Sequence, residues 1–331
     1  VKKTTILVTG STGYIGSALI SGIFSKFNNN SVHIKAFVRK SSPKSVLKEF
    51  PVEWIEGDMN DPQSLLKATK DIDVVFHTAA LVSYQRLDRR KLFRINVEGT
   101  RHLIDAALEN KVKRVVFTSS VAAIGINENG QPADEATDFL PWQHHIGYMV
   151  SKYLSELEIY RGIAEGLDAI ILNPGVVIGD YPGLENKSKA SKNLLKDIYN
   201  GKMPYYPLGG VGFVDIVDVV QAHINAWLEG ECGERFNVVS ENVTYKSLYD
   251  RIAAIQGSRR SSVFPLSNLF GIVIGLVAEL GGFVFQRTSS IAMDNVYLSR
   301  KNLFYSNKKS VEKLSISYTP LNESLVRILK Q

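Results

Sequence analysis

Thr5-Ile-Leu-Val-Thr-Gly10-Ser-Thr-Gly13-Tyr-Ile-Gly16 decides the fold. A β-rich run, Thr5–Thr9, leads directly into glycines at 10, 13 and 16, and an apolar helical pattern, Ile15–Phe27, follows at once. The first glycine permits a tight turn, the second lets backbone approach a pyrophosphate, and the third allows close helix–strand packing. A helix starting there offers free N–H groups and the positive end of its dipole to phosphate. The spacing in this strand–turn–helix setting predicts a dinucleotide cradle built from Gly10, Thr12, Gly13, Tyr14, Ile15 and Gly16.

The same rhythm continues outward. Val32–Val38, Val52–Ile55, Val74–His77, Val112–Ser119 and Leu167–Leu172 read as strands, with helical stretches from about Leu87 to Asn110 and from Tyr148 to Glu165. Alternating elements of this kind predict an α/β fold, a Rossmann-type doubly wound parallel sheet. Tyr181–Lys192 is polar and reads as a loop, and the last ninety residues lack the βαβ rhythm. The expectation is therefore a dinucleotide-binding domain over 1–180, with 211–240 returning to it. Residues 181–210 and 241–331 would form a smaller C-terminal substrate-binding domain over the strand C-termini.

Composition narrows the class. Of 331 residues, 44% are hydrophobic and 22% charged, the balance of an ordinary globular chain. The net charge of +6 comes without a long basic run, because the densest stretch, Arg86 to Arg94, is interrupted by Asp88. No nucleic-acid partner is expected, since clustering on one face is the required footprint. An anionic cofactor accounts for the basic balance. Cys232 is the single cysteine, so no internal disulfide framework exists. That fits a reducing compartment, and the first apolar run is too short for a signal sequence. The expected location is cytoplasmic. Leu269–Phe285 is almost wholly apolar but carries Glu279 and four glycines. It falls short of the about 20 residues a span needs and reads as the lining or lid of an apolar pocket, with peripheral membrane contact as the alternative.

Further residues fit a cofactor. The second strand ends Ala36-Phe-Val-Arg39-Lys40. Cations there suit a 2′-phosphate, where an acidic residue would suit ribose hydroxyls, so NADP(H) is expected over NAD(H). Gly57-Asp58-Met59 follows the third strand, and Asp58 is placed to accept from the adenine amino group or to close a turn. Asp61-Pro62 is the better helix cap. In His77-Thr78-Ala79-Ala80 the small residues let a cofactor pass close to backbone, and His77 reads as a satisfied core histidine. No metal site is expected.

Tyr148-Met-Val-Ser-Lys152 opens a helix, and i,i+4 spacing puts both side chains on one face. A nearby ammonium favours phenolate and would bring the phenol toward a useful acid–base range. Lys152 could also hold the nicotinamide ribose. A hydroxyl from the end of the fifth strand should polarise a substrate carbonyl; Ser120 is preferred to Ser119.

Jointly, these motifs make the chain resemble the extended short-chain dehydrogenase/reductase family, which is NAD-dependent epimerase/dehydratase-like. The resemblance rests on Thr9-Gly-xx-Gly-xx-Gly16, Asp58, His77-Thr-Ala-Ala80, Asn96 in Asn-Val-Glu-Gly-Thr, Ser120, Tyr148-xxx-Lys152 and Asn173-Pro-Gly-Val-Val-Ile-Gly179. Phe-Thr-Ser-Ser and Val-Arg39 are similar to its dihydroflavonol-reductase-like and hydroxysteroid-dehydrogenase-like branch. The resemblance implies that Tyr148 moves the proton, that Lys152 lowers its pKa and holds ribose, and that Ser120 orients the carbonyl. It also implies that Pro174 and Val177 flank the nicotinamide and that Asn96 supports the helix or a proton-relay water. The family often dimerises through the helices that correspond to Leu92–Asn110 and Tyr148–Glu165, so a homodimer is expected. The chain departs from sugar-nucleotide epimerases, which carry Arg-Asp where Val211-Gly212 stands and an acidic residue at Arg39; at Asp215 the usual residue is histidine. The expected function is NADPH-dependent reduction of a ketone or aldehyde with an apolar body. An NAD-retaining sugar-nucleotide epimerase or dehydratase is the alternative, and a non-catalytic dinucleotide sensor is the third reading. Substrate specificity is expected in the last ninety residues and in loops near His144, His145 and Tyr181.

Overall fold

In chain order the elements are β1 (Thr4–Thr9), α1 (Tyr14–Lys26), β2 (Val32–Val38), β3 (Glu53–Glu56), α2 (Pro62–Ala68), β4 (Val74–His77), α3 (Arg89–Leu92), α4 (Gly99–Glu109), β5 (Arg114–Thr118), α5 (Gly147–Ala164), β6 (Ala169–Pro174) and β7 (Val176–Ile178). There follow α6 (Lys189–Tyr199), β8 (Tyr205–Tyr206), β9 (Gly210–Asp215), α7 (Ile216–Glu229), β10 (Arg235–Val238), β11 (Glu241–Thr244), α8 (Tyr245–Gln256) and β12 (Phe264–Pro265). Helix Met293–Leu298, β13 (Asn302–Leu303) and helices Lys308–Leu314 and Leu321–Leu329 complete the series. The computed structural model describes residues 3–27, 31–182, 184, 189–257, 263–266 and 293–330.

Seven strands form one parallel sheet in the order β3-β2-β1-β4-β5-β6-β10. The order reverses between β1 and β4, which opens a crevice at their C-terminal ends, the usual ligand position in such sheets. Strand alternation divides the core. Ile6 and Val8 face α1 and α7 with Leu19, Ile20, Ile23, Val219 and Phe236. Leu7 faces the opposite layer with Val75, Leu103, Ile104, Val115, Phe117 and Ile159. Each fully buried aliphatic or Phe side chain contributes about 1.5–3 kcal/mol, so the two layers fix the sheet between them. The Rossmann-type doubly wound sheet expected from the sequence is the one observed.

β9 lies outside this sheet. It pairs antiparallel with β11 and parallel with β13 and β7, forming a four-stranded sheet. β8 and β12 make a two-stranded pair. The stretch Leu87–Asn110 is not one continuous helix. A 3-10 turn Arg86–Asp88, α3, a π-turn Phe93–Glu98 and α4 follow one another. The Asn96 carbonyl accepts locally from the Thr100 hydroxyl at 2.5 Å and, across to α5, from the Ser155 hydroxyl at 2.9 Å. Those bonds compete with the α-helical ladder, and a widened turn of this type often marks a functional site. Asp61 caps α2, accepting from the Gln63 N–H at 3.1 Å, with Pro62 at the first helical position. Leu269–Phe285 lies outside the described residues. Among the described residues, no helix is long and apolar enough to cross a membrane.

Candidate functional site

The glycine turn sits in the crevice between β1 and β4. Gly10 has φ +65, and a Cβ on it would meet Ala79 Cα and N at 2.8 Å. A Cβ on Gly16 would fall 2.4 Å from the Gly10 carbonyl oxygen and 2.7 Å from Thr78 Oγ1. On Gly13 it would meet the Gly10 oxygen at 3.0 Å. The Thr78 hydroxyl donates to the Thr9 carbonyl at 2.7 Å, tying the end of β4 to the turn. Gly13 caps α1 without a side-chain hydrogen bond. The turn thus leaves no room for side chains at its three glycines and leads into the N-terminus of α1, which fits a dinucleotide pyrophosphate. Thr12, Tyr14 and Ile15 are half-buried around it, and the Tyr14 hydroxyl donates to the Gly179 carbonyl at 2.6 Å.

Arg39 and Lys40 are exposed just past β2. The register pairs Thr9 with Phe37, and the Ser11 hydroxyl donates to the Phe37 carbonyl at 3.1 Å, so the two cations lie beside the glycine turn. Asp58 is half-buried and turns its Oδ1 onto the Asn60 backbone N–H and side-chain amide, both at 2.8 Å. Met59 is buried against Gly99 in the core layer. Thr78 and Ala79 are half-buried and Ala80 is exposed along the crevice. His77 is fully buried between Thr9 Oγ1 at 2.8 Å and Thr100 Oγ1 at 3.0 Å. Burial, and then the charge of Lys152, push its pKa down to about 3, so it is neutral and satisfied.

Ser120, Tyr148 and Lys152 come together at the C-terminal end of β5. Ser120 caps the short turn after the strand, accepting from the Ala122 N–H at 3.1 Å, and its hydroxyl lies near enough to the Tyr148 phenol to favour the phenolate. The neighbouring Ser119 hydroxyl is buried without a hydrogen-bond partner among the described residues. Lys152 Nζ donates to the Thr118 carbonyl at 2.8 Å and lies 4.9 Å above the Phe117 ring. Burial pushes its pKa down to about 8, opposed by the Glu156 carboxylate. The phenol does not behave as spacing alone suggests. Burial pushes the Tyr148 pKa up to about 12, and the opposing influence is the nearby Ser120 hydroxyl rather than the Lys152 ammonium, which is turned toward β5. Around Tyr148 stand Leu92, Ala122, Ile146, Met149 and Leu298, with the Tyr84 ring edge-on at 5.3 Å.

Asn96 is buried beneath this group. Its side chain accepts from the Leu81 N–H at 2.8 Å and donates to the Leu81 carbonyl and to Ser151 Oγ, each at 3.0 Å. Ser151 in turn donates to the Tyr148 carbonyl at 2.8 Å, so Asn96 fastens the post-β4 loop to the start of α5. Pro174 closes β6, buried, and Val177 is half-buried in β7. Asp215 does not face a substrate crevice. It caps α7 and receives Ser324 at 2.5 Å and Arg327, docking the last helix on β9. Tyr181 packs against Gly22 and Val220 in the α1–α7 layer, away from Tyr148. His144 and His145 are exposed and lend their carbonyls to Arg89, at 3.3 Å each, while the His144 ring packs edge-on against Phe139 at 4.9 Å. Sequence reasoning missed Tyr84, which has no local signal, and Glu156, which the four-residue spacing from Tyr148 and Lys152 could have found.

Comparisons with known proteins give the family and the fold. A model of the NAD dependent epimerase/dehydratase family matches residues 6–239. A putative dihydroflavonol 4-reductase of Synechocystis sp. is 31% identical over 328 residues, covering 96% of this chain and 91% of the relative. Sterol demethylase protein B of Methylococcus capsulatus is 33% identical over 259 residues, 77% of this chain and 76% of the relative. The crystal structure of gox2253 superposes with a TM-score of 0.82 at 30% identity, covering 99% of this chain and 97% of that one. The protein therefore belongs to the NAD dependent epimerase/dehydratase family, in its extended short-chain dehydrogenase/reductase form, and is an enzyme of the NAD(P)-dependent oxidoreductase class acting on CH–OH or carbonyl groups.

Proposed function

We propose that the protein reduces a ketone or aldehyde with an apolar body, using NADPH. The observation that carries this reading is the meeting of Ser120, Tyr148 and a buried lysine at the end of β5, set in apolar and aromatic walls. The similarity to a putative dihydroflavonol 4-reductase supports the reductive direction. The bound nicotinamide would supply the hydride. The glycine turn Gly10–Gly16 would hold the pyrophosphate, and Arg39 with Lys40 the 2′-phosphate.

The phenol is well suited to giving a proton. With its pKa raised to about 12, Tyr148 stays protonated across the neutral range and can donate to a carbonyl oxygen as negative charge develops there. Ser120, held by Ala122, would steady the same oxygen. The Lys152 ammonium spends one of its three donors on Thr118 and keeps the others for the ribose and for the phenolate left after proton transfer. Leu92, Ile146, Met149, Leu298 and Tyr84 would exclude water and favour an apolar substrate body, each buried CH₂ contributing about 0.8 kcal/mol. Residues 1–180 with 211–240 would serve cofactor binding, and 181–210 with 241–331 substrate binding.

The test is a panel of aldehydes and ketones of increasing apolar size, followed by NADPH absorbance, with NADH in parallel. NADPH should be preferred, and Arg39→Asp should reverse the preference. Equal use of both cofactors by the parent protein would remove the 2′-phosphate assignment.

A further inference from the structure

A buried network lies behind the site. Glu156 is 1% exposed and sits one turn beyond Lys152 on α5, itself 3% exposed. Its Oε1 accepts from the Asn173 side-chain amide at 2.6 Å, and its Oε2 from Arg235 Nη1 at 2.8 Å. The same Asn173 amide donates to the Ser120 carbonyl at 2.8 Å. Arg235 also donates to the Glu135 carbonyl, and the Asn237 N–H reaches Glu135 Oε1 at 2.7 Å. One carboxylate therefore joins α5, which carries Tyr148 and Lys152, to β6, β10 and the backbone of Ser120 beside the Tyr148 phenol.

We propose that Glu156 is a positioning residue for this site, acting through Asn173 on the Ser120 backbone and through its charge on the Lys152 ammonium. The proposal rests on the assigned roles of Ser120, Tyr148 and Lys152. The reason for a carboxylate here is electrostatic. Lys152 is desolvated, so an ammonium at that depth needs compensating negative charge nearby. The Thr118 carbonyl supplies a partial charge and Glu156 a full one. A glutamine would keep the bond to Asn173 while removing that charge. Other groups bearing on the pair are His77 from β4, neutral by burial, Arg235 from β10, Glu135 beside it, and Tyr160 on α5. Arg235 offsets part of the Glu156 charge, so the field at Lys152 is the difference between the two.

The experiment titrates Lys152 itself in the full chain without cofactor, by NMR of lysine labelled with ¹³C at Cε, the resonance assigned with Lys152→Arg. Glu156→Gln should lower the Lys152 midpoint by about one pH unit, within the range for an opposite charge a few ångströms away. Glu156→Asp, which keeps the charge, should restore most of that shift. An unchanged midpoint in Glu156→Gln, or an equal fall in Glu156→Asp, would overturn the proposal. If Glu156→Gln does not fold, Arg235→Gln asks the same question with the opposite sign. Removing the offsetting cation should raise the Lys152 midpoint, and an unmoved or lowered midpoint would overturn the proposal. This readout needs no substrate, so its failure is distinct from failure of the reductase reading.

Discussion

Gly16→Ala sets two physical effects against each other. Alanine is the better helix former, and in α1 it would stabilise by about 1 kcal/mol on propensity alone. The structure opposes this gain, because the added Cβ would lie 2.4 Å from the Gly10 carbonyl oxygen and 2.7 Å from Thr78 Oγ1. Thr78 can rotate at the expense of its 2.7 Å bond to the Thr9 carbonyl. Gly10 cannot withdraw, since its own Cα faces Ala79 backbone and its φ is +65. The turn must move by roughly 1 Å to restore ordinary contact, and overpacking of this kind costs about 1–3 kcal/mol. The net expectation is a stability loss of up to about 2 kcal/mol. A shift of about 1 Å at a binding turn should also weaken NADPH by about ten- to a hundred-fold. Urea denaturation and calorimetric titration of NADPH measure the two effects separately. A variant that binds NADPH as the parent does and is more stable would refute the reasoning, because that is the outcome propensity alone predicts.

Other outcomes follow from the same geometry. His77 and His223 are buried with pKa values lowered to about 3 and about 4, burial being the first cause for each. The unfolded chain binds protons at both as pH falls through about 6.5, while the folded chain does not; stability should therefore be full above that value and fall by about 2 kcal/mol per histidine by about pH 5. Denaturation curves with the same free energy at both pH values would contradict this. Asp61→Ala should cost about 1 kcal/mol of stability through loss of the α2 cap, with NADPH affinity unchanged, and denaturation with a binding control would show it.

The parts of the fold legible in the sequence are those set by local pattern. Strand, glycine turn and helix follow one another within Thr5–Phe27, and backbone geometry at Gly10 and Gly16 needs no distant information. Ser120 stands beside the phenol while the Ser119 hydroxyl is buried without a partner among the described residues, a difference made by the turn that follows β5. What escaped reading was made by distant contacts. The π-turn at Asn96 is tied to α5 by the Ser155 hydroxyl, 59 residues along the chain, and no periodicity announces it. Tyr181, in a loop expected to bear on specificity, packs into the α1–α7 core layer. Asp215 occupies a segment associated with substrate and instead receives Arg327, a partner more than a hundred residues away. The phenol pKa shows the same limit: spacing put an ammonium on the correct face, while depth in the protein and the Thr118 carbonyl decided where that charge points.

The central claim is that Tyr148 delivers the proton in an NADPH-dependent carbonyl reduction. The most direct measurement compares Tyr148→Phe with the parent protein in turnover of an active aldehyde or ketone and in NADPH affinity. The phenyl ring keeps the packing against Tyr84, so affinity should be unchanged, while turnover falls by about 10²-fold or more, the scale of lost acid–base catalysis. Turnover retained in Tyr148→Phe at unchanged NADPH affinity would contradict the account.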